Sequence, residues 1–173
     1  MADESDGTPI THRSAISYID RTRDFYAAAG YAKPYRWAHY SEVPFAPLAK
    51  PLAECRVGLV TTAGPAGSGD ATDGVLRGDR RVWSGPTATP PERLSADHLA
   101  WDKETTHLDD VDAFLPIRPL QQWAAAGRIA AVAPRFYGVP TDYSQRRTRE
   151  EDAPEVLRLC REDAVDVLLL VPL

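Results

Sequence analysis

Three short apolar runs, separated by segments of helical periodicity, restrict the folds open to this chain more than any other feature. Arg56 to Thr62 reads RVGLVTT, Arg128 to Ala133 reads RIAAVA, and Val165 to Val171 reads VDVLLLV. Runs of this length and β-branched content suit strands buried on both faces, the usual condition of a parallel sheet. Pro119 stands in the first turn of a predicted helix in which Leu120, Trp123 and Ala124 share one face, with Gly127 just past its end. A second helix is predicted from a capping box of Asp152 and Glu155, with Pro154 in the first turn and Val156, Leu159 and Cys160 on its apolar side. Thr148 with Glu151 offers an alternative start for it. Strands alternating with helices predict an α/β fold: a mostly parallel, doubly wound three-layer sheet in a single domain.

The remaining segments fit around that sheet. Residues 1–13 are polar and expected to be disordered, leaving 14–173 as one domain. Ser14 to Ala29 places Ile16, Ile19, Phe25 and Tyr26 at helical spacing and stops at Gly30, so it reads as an amphipathic helix outside the sheet. From Ala32 to Pro51, aromatics and prolines predict an irregular N-terminal strap. Gly64 to Gly74 reads as a loop after the first strand, and Ser84 to Glu92 as a second loop. The polar segment Arg93 to Asp112 is compatible with strand or coil.

With 173 residues and 43% hydrophobic content, the chain can bury one ordinary core. Its 25 acidic and 20 basic residues give a net charge of -5, which argues against nucleic acid and anionic membranes as partners. Met1 to Thr11 contains no apolar stretch of the kind an export signal needs, and no apolar run approaches the ~20 residues of a membrane span. Two cysteines, Cys55 and Cys160, form neither a CxxC pair nor a disulfide framework, and a cytoplasmic location is expected.

In open α/β sheets, ligands collect at the carboxyl ends of the strands. That rule points to Thr61–Gly64, Pro134–Gly138 and Pro172–Leu173, and makes Thr61, Thr62, Arg135 and Tyr137 the substrate-binding candidates. Arg135 can clamp a carboxylate through two parallel hydrogen bonds, or pair with one of the chain's own acids. Asp97, His98, Asp102, Glu104, His107, Asp109, Asp110 and Asp112 form the cluster richest in reactive groups. His98, Asp102 and His107 are its candidates for general acid–base catalysis or for a divalent metal, although the spacing matches no zinc pattern; a solvated acidic loop is the plainer alternative. Gly64, Gly67 and Gly69 read as a flexible linker rather than a phosphate loop, and Cys55, Cys160 and the four tryptophans as packing residues.

Several motifs follow one another in a familiar order. They are VPFAPLAKPLAECRVGLVTTAG from Val43 to Gly64, the segment Asp97 to Asp112, the helix from Leu115-Pro116 to Gly127, APRFYG from Ala133 to Gly138, and EDAPEVLRLCREDAVDVLLLVP from Glu151 to Pro172. Together, from about Trp37 to Leu173, the chain resembles the selenoprotein-B-type subunit of the glycine, sarcosine, betaine and D-proline reductases. The resemblance implies a racemase-like α/β fold and reductive cleavage of a carbon–nitrogen bond. The family's selenocysteine or cysteine comes shortly after the strand that corresponds to Val165–Val171, beyond Leu173. Phe136 stands where the family motif has histidine, and Ala164 where it has a helix-capping glycine.

The expectation is therefore a subunit of a heteromeric reductase that acts on a small polar, amino-acid-like substrate. A partner protein would supply the redox nucleophile and cover the exposed sheet edge. Two alternatives stand beside it: an enzyme using His98, His107 and Arg135 without thiol chemistry, and a non-catalytic structural or binding subunit.

Overall fold

A computed structural model describes residues 20–31, 33, 40–44, 46–65, 82–96, 104–105, 107–140 and 144–173. The chain divides into two compact units, Met1–Pro44 and Phe45–Leu173. In the first, helix α1 covers 20–28 and ends in a turn whose Gly30 has a φ of 89°, a left-handed conformation that glycine adopts without cost. Phe25, Tyr26 and Tyr31 form an edge-to-face aromatic row there. Residues 1–13, with Ile16, Ile19 and Trp37, lie outside the described residues.

The second unit is an α/β domain built on a mixed sheet. Its strands are β1 (Arg56–Thr61), β2 (Trp83–Pro86), β3 (Ala131–Val132), β4 (Arg135–Gly138) and β5 (Val167–Val171). Its helical elements include α2 (Ile117–Ala125), the short α3 (Gln145–Arg147) and α4 (Ala153–Glu162). β1 is central and almost wholly buried, as its apolar run requires. β5 runs parallel to it along one side over the register Val57↔Val167 to Thr61↔Val171.

On the other side β3 and β4 follow each other along β1, both parallel to it. The expected strand Arg128–Ala133 is thus only the two-residue β3, and a separate strand, β4, follows it. Arg56 faces Ala131 but Val60 faces Tyr137, so two extra residues enter at Ala133–Pro134, where proline cannot donate to the ladder. Ser84 to Glu92 is likewise not all loop, because Trp83–Pro86 pairs antiparallel with β4. The pairing works because each bulky ring faces a glycine: Trp83 is opposite Gly138 and Phe136 opposite Gly85, with the two rings 5.4 Å apart, edge to face.

Successive residues of β1 feed two clusters. Val57 and Leu59 pack with Ile117 and Leu120 of α2, Phe114, Leu115 and Phe136. Val60 joins Tyr137 and the Val156, Leu159 and Cys160 face of α4. Since alternate residues of a strand point to opposite faces, α2 and α4 cover opposite sides of β1.

The last helix begins earlier than its predicted capping box. Ser144 is the N-cap, its side chain accepting from the Arg147 N–H, and a π-helical turn Thr148–Asp152 links α3 to α4. Ala153 N–H reaches five residues back to the Thr148 carbonyl. Pro154 explains the wide turn: it has no N–H for the carbonyl one turn back, and its ring needs the extra space. Asp152 consequently lies inside the helical run, with only 5% of its surface exposed.

Both long helices close alike. Arg128 N–H bonds the Trp123 carbonyl past α2, and Val165 N–H bonds the Cys160 carbonyl past α4. The residue between is left-handed in each case, Gly127 at φ 69° and Ala164 at φ 51°.

Candidate functional site

The carboxyl ends of β1, β4 and β5 meet the start of α4 in a groove of about 690 Å³. Thr62 follows β1, Val139 and Pro140 follow β4, and Val171 and Pro172 close β5. Thr148 and Asp152 of the π turn form the opposite wall, and Val156, Leu157 and Cys160 of α4 extend it. The lining is largely apolar, so its few polar groups would fix the orientation of whatever enters. Thr62 Oγ1 accepts the Leu173 N–H at 2.8 Å, which holds the end of β5 against the end of β1.

Of the four substrate-binding candidates, Thr62 lies in this groove and the others do not line it. Thr61 is fully buried, its Oγ1 accepting the Ala63 N–H at 3.2 Å. Arg135 follows β3 across Ala133 and Pro134, but it also opens β4, three residues and so about 10 Å before the carboxyl end at Gly138.

There Arg135 and Tyr137 converge on Asp163, just past α4. Arg135 Nε and Nη2 each lie 2.9 Å from a different oxygen of the Asp163 carboxylate, and Nη2 also reaches Glu162 at 3.2 Å. The fully buried Tyr137 donates its hydroxyl to Asp163 at 2.7 Å. Arg56 adds a bond from Nη1 to the Asp163 carbonyl at 2.8 Å, tying the start of β1 to the same corner.

The Arg135 guanidinium holds the Asp163 carboxyl below its ordinary value, assisted by the Tyr137 hydroxyl and opposed by burial. Burial, and then the Asp163 hydrogen bond, push the Tyr137 hydroxyl well up. Of the two readings open for Arg135, pairing with the chain's own acids describes this geometry. A cation at a helix C-terminus also meets the negative end of the helix dipole.

His98 and Asp102 lie outside the described residues. His107 is on a loop before the 3₁₀ turn Val111–Ala113, its side chain 72% exposed and Nδ1 3.4 Å from Asp109. Asp110 caps that turn through the Asp112 N–H, and Asp112 lies 3.6 Å from Arg118. Among the described residues, no group of three or more His, Cys, Asp or Glu side chains is placed to hold a metal ion.

Both cysteines are buried and free. Cys55 points its thiol at the Lys50 and Pro51 carbonyls, and burial pushes the Cys160 thiol up from its ordinary value. Neither thiol is exposed to solvent. Phe136 is 2% exposed and committed to the core.

Sequence reasoning passed over Asp152 and Thr148 as site residues, having read them as alternative helix starts. The signal was present in Pro154, whose demand for a wide turn places both at the groove. Val139 and Pro140, which follow the carboxyl end of β4, were missed because the strand boundary was misplaced.

These features define an α/β protein with a crevice at the carboxyl edge of its parallel strands. Over 127 residues the chain is 32% identical to the D-proline reductase subunit gamma of Acetoanaerobium sticklandii, a match covering 72% of this chain and 51% of that protein. The chain therefore spans about half the length of the curated relative it matches. No family model matches the sequence, and no solved structure matches it. Among the described residues, no helix is long and apolar enough to cross a membrane.

Proposed function

We propose that this chain is a selenoprotein-B-type subunit of a heteromeric, cytoplasmic reductase that cleaves a carbon–nitrogen bond in a small, polar, amino-acid-like substrate. The carrying observation is the similarity over 127 residues to a D-proline reductase subunit. The chain holds the substrate in the groove beyond β1 and β4, and a partner chain supplies the redox nucleophile. Both Cys55 and Cys160 are buried, which supports a nucleophile drawn from elsewhere.

In the groove, Thr62 and Thr148 offer hydroxyls and Asp152 offers a carboxylate, chemistry suited to a substrate ammonium. His98, Asp102 and His107 retain the acid–base role within this reading. His107 is exposed enough that a partner would have to cover it.

The test is native mass spectrometry of the assembly purified from its own cells, followed by incubation with a dithiol and D-proline, sarcosine or glycine betaine. The expected result is a second polypeptide carrying an accessible cysteine or selenocysteine, with one dithiol oxidised per carbon–nitrogen bond broken. An isolated chain, or an assembly that consumes none of these substrates, would overturn the proposal. Asp152→Asn should raise KM about tenfold with little change in kcat, the mark of lost uniform binding.

A further inference from the structure

The groove beyond β1 and β4 is lined by two acidic side chains, Asp152 and Asp166, in different surroundings. Asp166 is committed within the chain: its carboxylate lies 2.8 Å from Lys50 Nζ and accepts the Arg56 N–H at 2.8 Å. Asp152 is only 5% exposed, and its side chain makes no capping bond to α4, so the helix end does not account for its place. A carboxylate has about four lone-pair positions, enough for a neighbour in its own chain and a ligand N–H together. Thr148, four residues earlier in the helical run, brings a hydroxyl to the same wall, and Thr62 brings another from the opposite wall. Val60, Val139 and Val156 supply apolar surface around these groups.

We infer that this groove selects a protonated amine that keeps at least one N–H, primary to tertiary, and rejects a quaternary ammonium of the same shape. The inference rests on the reading of the groove as the substrate site and narrows it. A quaternary ion brings charge but no donor, so the oxygens it covers lose water and gain no hydrogen bond. Aromatic rings are the surface that usually holds such an ion, and among the described residues none lines the groove. Two effects compete when the last N–H of an amine is replaced by a methyl group. The methyl buried against the valines strengthens binding roughly fourfold. The lost hydrogen bond to a charged acceptor weakens it roughly ten- to a hundredfold. The hydrogen bond decides the sign, and it decides against the quaternary ion.

The test is a titration of isobutylammonium, dimethyl(isobutyl)ammonium and trimethyl(isobutyl)ammonium, followed by ligand-observed NMR, into the protein purified from its own cells. The three ions share one apolar body and one positive charge and run from a full set of N–H donors to none. The expected result is that the quaternary ion binds about tenfold more weakly than its tertiary analogue, where apolar contact alone would make it about fourfold tighter. Asp152→Asn should weaken the two N–H-bearing amines and remove most of that difference. A quaternary ion that binds as tightly as the tertiary amine, with Asp152→Asn still weakening both, overturns the selection and leaves the groove as the site. If none of the three ions binds, or if Asp152→Asn leaves every affinity unchanged, the reading of the groove as the substrate site falls together with the inference.

Discussion

Ala164 holds a left-handed φ of 51° at the same point past α4 that Gly127 occupies past α2. An L-residue there carries a cost of roughly 1–2 kcal/mol that glycine avoids, set against the extra freedom glycine gains when unfolded. Ala164→Gly should therefore stabilise the chain by about 1 kcal/mol, seen as a higher midpoint in urea at unchanged slope. A lower midpoint would mean that the alanine methyl makes packing contacts that outweigh the backbone.

Asp163 is the opposite case, a residue whose partners hold three elements together. Its folded pKa lies below the ordinary value of 3.8, so its contribution is present above that pH and is lost as pH falls through the folded value. Asp163→Asn should cost about 2–3 kcal/mol at neutral pH, from hydrogen bonds to charged and buried partners. The variant should also lose stability less steeply than the parent below about pH 4. Parallel acid slopes in the two proteins would show that Asp163 is not the titrating group.

At the level of elements, the strands and helices whose apolar pattern is local were legible: β1, β5, α2 and the Val156, Leu159 and Cys160 face of α4. β2 was not, because Trp-Ser-Gly-Pro has none of the alternation of a strand and pairs only through complementary partners on β4. Arg135 illustrates the same limit at the site, since its partner Asp163 is 28 residues away and nothing local selects it over the other acids. Asp152 was misplaced because a capping box and a π turn before proline share the same residue types. The glycine–ring pairing of β2 and β4 gives a direct check. A Cβ on Gly138 would lie 2.0 Å from the Trp83 ring, so Gly138→Ala must displace the indole or separate the strands. A loss of about 1–3 kcal/mol in chemical denaturation is expected, with a change in tryptophan fluorescence. A neutral result would mean that the Trp83 ring is free to move.

For the whole molecule, the exposed leucines of β5 test how far the core extends toward the outermost strand. Leu170 is 67% exposed and contributes little to the core of the isolated chain, so Leu170→Lys should change its unfolding free energy by no more than about 0.5 kcal/mol. Thermal unfolding of parent and variant measures the difference, and a large loss in the variant would place Leu170 in the chain's own core.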